Sequence, residues 1–285
     1  MNGKVLFLGY MWKVAESIFE AKGWDLIAIG IEPQRANSID AIKFCEASNI
    51  PQFDARKIRE NSNFDEIIKN NIDLIVVGAF GQILPSVFFT YPKDGILNVH
   101  TSLLPNYPGG SPIETQIISG DQVGGVTLQW MEERVDAGDI ISQEPVEISS
   151  TDYYRDVYQN YHQEAANLMT KLLCEAPELW PRHSHGSDGL VIPPSTESDA
   201  VIDWQMPAEQ LAQRIRAFSW RGWCKATIDG GLVYIQRGRA VTQQASARKK
   251  PGTILAADAD GFEIQTADGI LLIEAFTRQT KISTE

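Results

Sequence analysis

The chain has 285 residues, 43% of them hydrophobic, and a formal net charge of -12. Its length suits two domains of ordinary size whose cores need no staples, and no run of about twenty apolar residues offers a membrane span. The acidity argues against a surface devoted as a whole to nucleic acid, but it is uneven: from Val201 onward 11 Lys and Arg face 9 Asp and Glu, which leaves -14 for the residues before it.

The opening "MNGKVLFLGYM" has too short an apolar run for a secretory leader and no small-residue cleavage site, so it reads as the first strand of a cytoplasmic protein. "KVLFLGY" is followed by helical spacing in "KVAESIFEAKGW", then by a second buried run, "DLIAIGIEP". "SIDAIKFCEASNIP" predicts a helix capped at Ser38 and ending before Pro51. After "FDEIIKNN" come two more strands, "DLIVVGAFG" and "GILNVHTS". Strands alternating with helices in this order predict an α/β fold with a mostly parallel sheet covered on both faces. "VGGVTLQWMEERVDAGDIISQEPVEI" offers two β-rich pieces around a turn at Asp136 to Gly138, and "DYYRDVYQNYHQEAANLMTKLLCEAPELW" a long amphipathic helix.

Composition then shifts. Pro181 to Ala200 is rich in Pro, Ser, Gly and His and reads as a linker. Beyond it, "PAEQLAQRIRAFS" predicts one helix, and "CKATI", "LVYIQRG", "GTILAA", "GFEIQTA" and "ILLIEAF" predict short strands separated by Asp-Gly turns, a pattern for a small antiparallel barrel. The expected domains are therefore 1–180, a linker 181–200, and 201–285.

The groups able to do chemistry are few. Cys45, Cys174 and Cys224 are far apart and form no C-x-x-C pair, so reduced thiols without metal are expected. His183 and His185 are spaced H-x-H in a polar segment with no Cys nearby and read as solvated rather than metal-bound; His162 reads as a helix-face residue. The first strand ends in a single Gly9 followed by Tyr10, Met11 and Trp12, not G-x-G-x-x-G, which disfavours a dinucleotide oxidoreductase. Asn98 and His100 alternate along a strand and so share one side, where they either reach one ligand or cap the strand through its backbone. "RVDAGDI" adds Asp136 and Asp139 around Gly138, by itself an ordinary turn.

Taken in order, N-x-H, S-L-L-P and D-x-G-D-I make the chain resemble the formyltransferases that use 10-formyltetrahydrofolate, among them the methionyl-tRNA and amino-sugar N-formyltransferases. The likeness runs through "AFGQILP", "GILNVHTSLLPNYPGGSPI" and "GVTLQWMEERVDAGDII" and, after the linker, "IDW" and "LAQRIRAFSW". It implies a Rossmann-like catalytic domain followed by a barrel-like, OB-like C-terminal domain. It also implies a catalytic trio of Asn98, His100 and Asp136, and a folate slot built from Phe80, Ile83, Leu84, Ser102, Leu104, Val135 and Asp139. Leu103 and Leu104 adjoin, so one of them is expected to pack inward. The formyl donor is expected to be 10-formyltetrahydrofolate, with no metal.

The acceptor is less legible. Members that act on initiator tRNA or amino sugars usually carry an Arg close before the Gly that follows S-L-L-P; here "SLLPNYPGGSP" has Pro108 before Gly109 and no Arg. The tRNA enzymes resemble one another in a basic insertion after the second strand, whereas "IEPQRANSIDAI" supplies only Arg35. Arg214, Arg216, Arg221, Arg237, Arg239 and Arg248 to Lys250 form either a phosphate-binding stripe or a solvated basic face. The expected acceptor is a small-molecule primary amine, best a nucleotide-linked amino sugar. A hydroxyornithine or peptide-type amine, a methionyl-tRNA and plain folate hydrolysis are the alternatives. The C-terminal domain binds substrate or pairs two copies as a homodimer.

Overall fold

A computed structural model describes residues 2–35, 37–58, 71–186, 190–241, 249–258 and 261–278; residues 64–70 of "FDEIIKNN" and Arg248 lie outside them. The described chain divides into two units. The first takes Met1–Gly109, Val123–Glu147 and Gln159–Ile192; the second takes Gly110–Gln122, Ile148–Tyr158 and Pro193–Glu285.

In the first unit the strands expected from the sequence become β1 (Gly3–Gly9), β2 (Trp24–Ile31), β4 (Leu74–Gly78) and β5 (Ile96–His100), and the short β3 (Gln52–Asp54) joins them. These five pair in parallel, and β6 (Val123–Trp130) and β7 (Ile140–Glu147) extend the sheet antiparallel in the order β3-β2-β1-β4-β5-β6-β7. Strands covered on both faces must be apolar along their whole length, and β1 and β4 are buried to match. A cluster including Leu6, Leu8, Ile75, Val77 and Phe88 fills one side. The strand order reverses at β1, and there Gly9 is indispensable: its φ is 126°, and an added Cβ would stand 1.9 Å from the Gly78 carbonyl oxygen.

Among the described residues the α-helices are α1 (Trp12–Glu20), α2 (Ser38–Ser48), α3 (Pro112–Ser119), α4 (Tyr154–Leu172) and α5 (Ala208–Phe218). α2 stops at Asn49, which takes the left-handed conformation before Pro51. The cap expected from Ser38 is not made. Ser38 is the first helical residue, and its hydroxyl donates instead to the Glu32 carbonyl at 2.8 Å. Among the described residues no helix is long and apolar enough to cross a membrane.

The second unit holds a curled antiparallel sheet, order β10-β11-β12-β9-β8. Its strands are β8 (Lys225–Ile228), β9 (Gly231–Val241), β10 (Ile254–Asp258), β11 (Gly261–Gln265) and β12 (Ile270–Arg278). The β8–β9 turn places Asp229 and Gly230 both at positive φ, the requirement of a tight hairpin and the reason for its Asp-Gly sequence. α5 packs against β9 and β12 of this sheet, with Leu211, Ile215 and Phe218 buried on its apolar stripe.

Two features were not legible in the sequence. The units are discontinuous, since the second draws residues 110–122 and 148–158 from the middle of the chain. And much of the expected linker is built into the first unit: His183 exchanges both backbone hydrogen bonds with Ile140 at 2.9 Å, and the Ile192 amide donates to the Pro108 carbonyl at 2.7 Å.

Candidate active site

β5 delivers Asn98 and His100 to one face of the sheet. Its antiparallel neighbour β6 sets Gln129 directly opposite Asn98 and Thr127 opposite His100, so four polar side chains share that face of two otherwise apolar strands. Beyond β6 the chain turns back, closed by the Trp130 amide donating to the Asp139 carbonyl at 2.9 Å. Gly138 permits this closure, because an added Cβ would stand 1.8 Å from the Trp130 carbonyl oxygen. Within the turn Asp136 adopts the left-handed conformation at φ 47°, which aims its side chain at β5.

The Asp136 carboxylate gathers the site. Its Oδ1 accepts from Asn98 Nδ2 at 3.1 Å and from Gln129 Nε2 at 2.8 Å. Its Oδ2 accepts from the Gly109 amide at 2.7 Å and lies 3.4 Å from His100 Nδ1. The other imidazole nitrogen, Nε2, is 2.9 Å from the Tyr107 carbonyl oxygen. The His100 and Asp136 side chains are only 6% and 8% exposed. Both ring nitrogens thus face oxygen acceptors, whereas a neutral imidazole carries one N–H.

The loop that brings Tyr107 and Gly109 here is tied down by the same polar row. Thr127 Oγ1 donates to the Ser102 carbonyl at 2.6 Å and accepts from the Leu104 amide at 3.1 Å. Gln143 on β7 donates to both Thr127 Oγ1 and the Leu104 carbonyl. The Ser102 hydroxyl closes the loop on the Asn106 carbonyl at 2.6 Å.

The structure brings Asn98, His100 and Asp136 into direct contact. The residues expected to line a folate slot divide into two groups. Ile83 and Val135 are apolar yet 71% and 49% exposed, and Phe80 and Asp139 are half-buried. Leu84 lies in the core cluster and Ser102 is fully buried. Of the adjoining leucines, Leu104 is the one packed inward and Leu103 is half-buried.

The remaining histidines do different work. His162 is buried on α4, where burial first and the nearby Lys13 charge second push it down to about 3, so it is neutral. His183 is exposed as expected. His185 is not simply solvated: its Nε2 lies 3.0 Å from the Gly138 carbonyl, on the turn that presents Asp136. Among the described residues no three His, Cys, Asp or Glu side chains are grouped to hold a metal ion.

Sequence reading missed Gln129, Thr127, Gln143, Gly109 and His185. The first two left a signal: in "GGVTLQW" two polar residues alternate within a run that is otherwise apolar and buried throughout.

Several cations of the second unit are engaged within it. Arg221 Nη2 donates to the buried Glu114 at 3.1 Å, Arg216 is buried and donates to the Asp152 carbonyl at 2.9 Å, and Arg239 pairs with Glu274 at 2.8 Å.

Comparison with known proteins agrees with this architecture. Residues 27–173 match the model of the family described as "Formyl transferase", and residues 194–284 that of "Formyl transferase, C-terminal domain". The methionyl-tRNA formyltransferase of Bacillus mycoides (strain KBAB4) is 30% identical over 278 residues, 93% of this chain and 87% of the relative. That of Geobacillus thermodenitrificans (strain NG80-2) is 36% identical over 220 residues, 76% of this chain and 68% of the relative. Among solved structures the fold is shared with WlaRD, a sugar 3N-formyl transferase crystallised with dTDP and 5-N-formyl-THF: TM-score 0.70, 19% identity, 99% of this chain and 100% of that one. HypX from Aquifex aeolicus in complex with tetrahydrofolic acid aligns with TM-score 0.66 and 16% identity, this chain covering 45% of its length. On these matches, which between them span both units, the chain belongs to the formyl transferase family.

Proposed function

We propose that this enzyme moves the formyl group of 10-formyltetrahydrofolate onto the primary amine of a small molecule, best a nucleotide-linked amino sugar. The observation that carries the formyl-transfer reading is the convergence of Asn98 and His100 on the Asp136 carboxylate. The exposed apolar side chains Ile83 and Val135, with half-buried Phe80, suit the flat ring of a folate. Bound there, the folate would supply an activated formyl carbon.

The chain's own groups then have definable tasks. An amide NH2 carries two hydrogens, and Asn98 commits one to Asp136; the second is free to meet the formyl oxygen as it gains negative charge. Losing one such donor typically costs about 3 kcal/mol in the transition state. His100 takes the proton that the attacking amine must lose, and the resulting second N–H finds Asp136 Oδ2 or the Tyr107 carbonyl in place. Asp136 orients the imidazole and relays the proton that His100 took, through a water, to the folate nitrogen as its bond to the formyl carbon breaks.

For the acceptor, the acidic first 200 residues, the absence of Arg from "SLLPNYPGGSP" and the internal engagement of Arg216, Arg221 and Arg239 support a small amine over tRNA. Initiator tRNA is the second reading, favoured by the 30% and 36% identity to methionyl-tRNA formyltransferases. The test is folate release, followed by absorbance, with 10-formyltetrahydrofolate against nucleotide-linked amino sugars, hydroxyornithine, charged initiator tRNA and buffer alone. Turnover with a sugar amine and none with tRNA is expected; turnover with tRNA alone replaces the acceptor, and release in buffer alone means hydrolysis.

A further inference from the structure

We propose that Gln129 is a positioning residue for the transfer, acting on the reaction only by holding Asp136. The inference rests on the reading of Asp136 as a member of the catalytic trio.

Gln129 is 1% exposed and faces Asn98 across the β5–β6 pair. Its Nε2 donates to Asp136 Oδ1 at 2.8 Å, a shorter contact than the 3.1 Å from Asn98 to the same oxygen. A carboxylate oxygen there fixes the orientation of the amide, NH2 toward Asp136 and carbonyl away. That carbonyl oxygen, Oε1, is buried and has no hydrogen-bond partner among the described residues. A buried amide with one end orphaned serves packing worse than an apolar side chain of the same length, because the lost hydration of the carbonyl is not made good. The carbonyl end therefore does not account for a glutamine at this position. Its NH2 end does.

Asp136 needs holding. It sits at φ 47° in a turn outside the strands, a conformation that a residue with a side chain keeps only when its surroundings impose it. Three N–H groups impose it: Gly109 on Oδ2, Asn98 and Gln129 on Oδ1. Asn98 is also committed to the formyl oxygen. Gln129 is the donor from the rigid strand whose side chain has no other partner among the described residues, so its effect passes through Asp136 alone.

The test compares the full chain with its Gln129→Met variant, which keeps the length and removes both polar ends. Melting temperature and steady-state kinetics are measured, each also on an Asp136→Asn background. The expected result is a melting temperature close to the parent's, the donor lost from Asp136 and the orphaned carbonyl removed with it offsetting one another. KM should stay within about 2-fold, and kcat should fall roughly 10- to 100-fold. On the Asp136→Asn background the substitution should change kcat no further. An unchanged kcat overturns the proposal, as does an equal fall on both backgrounds. A lowered melting temperature overturns it too, and decides the point even if the parent transfers no formyl group to any acceptor tried, the separate outcome that would sink the reading of the site itself.

Discussion

Asn98 and Gln129 stand opposite one another on adjacent antiparallel strands, and their amide nitrogens converge on a single oxygen of Asp136, at 3.1 and 2.8 Å. Strand pairing thus converts two residues 31 positions apart into one clamp on a carboxylate carried by a loop. Of the two, only Asn98 has a second proposed task, at the formyl oxygen. Asn98→Ala is expected to lower kcat by about 10²- to 10³-fold through the lost donor. His100→Ala and Asp136→Ala are each expected to remove most turnover while circular dichroism stays that of the parent. Near-normal turnover in the His100 variant would end the proposed mechanism.

The buried His162 gives the fold an acid limit. Its folded-state value is pushed down to about 3, against 6.5 for the free side chain. A depressed value means that the unfolded chain binds the proton first, so the contribution is complete above 6.5 and is lost as pH falls from there toward 3. The slope of unfolding free energy from this group alone is about 1.4 kcal/mol per pH unit across that window. Denaturant unfolding of parent and His162→Leu between pH 7 and 4 measures it. The variant should show the shallower pH dependence whatever its stability at neutral pH; parallel curves would mean that His162 does not stay neutral in the folded state.

Most of the fold was legible because its signals are local. β1, β2 and β4 are largely apolar runs long enough to be strands and too short to be helices, β5 alternates polar Asn98 and His100 with buried apolar residues, and the Asp-Gly turn at Asp229 announces its hairpin. The three-residue β3, "QFD", has no such pattern and is a strand only because β2 offers it a parallel edge. Asn98, His100 and Asp136 are singled out because their spacing resembles a family, not because any local rule points to Asp136. The supports were hidden for a different reason. Gln129 meets Asp136 through antiparallel pairing with β5, and His185 reaches Gly138 from a segment whose Pro, Ser and Gly content looks like a linker. Composition reports how a segment would behave alone, and it is silent on the backbone hydrogen bonds that seat His183 against Ile140.

The three cysteines should separate cleanly by reactivity. Burial pushes the Cys45 thiol up to about 11 and the Cys224 thiol up to about 12, so neither forms appreciable thiolate near neutrality, and both are enclosed. Cys174 is exposed, with its thiol donating to the Thr170 carbonyl at 3.3 Å. A chromogenic disulfide reagent at pH 8 should titrate one thiol rapidly in the native protein and all three in denaturant. Two or three fast native thiols would contradict the burial of Cys45 and Cys224.

Glu114 and Arg221 provide the sharpest stability test in the second unit. Glu114, on α3, is 3% exposed, and its partner Arg221 stacks its guanidinium 4.2 Å from the ring centre of Trp220 and 4.7 Å from that of Trp223. Burial raises the Glu114 carboxyl above its ordinary value, while its own backbone amide and Arg221 pull the other way. Removing the cation alone leaves a buried carboxylate without its counter-charge, so Arg221→Met should destabilise the protein by about 3–5 kcal/mol at pH 7. The sign of the pH dependence follows from the raised value. A carboxyl that is harder to ionise folded than unfolded is penalised as pH rises, so the Arg221→Met deficit should shrink toward pH 4, where Glu114 takes up a proton. Adding Glu114→Gln should recover much of the loss at pH 7 and abolish that pH dependence, since no charge then remains to be buried. Denaturant unfolding of the parent, both single variants and the double variant at the two pH values closes the cycle. Additive losses that do not depend on pH would show that Arg221 supports the fold through its contacts with Trp220 and Trp223 rather than through the ion pair.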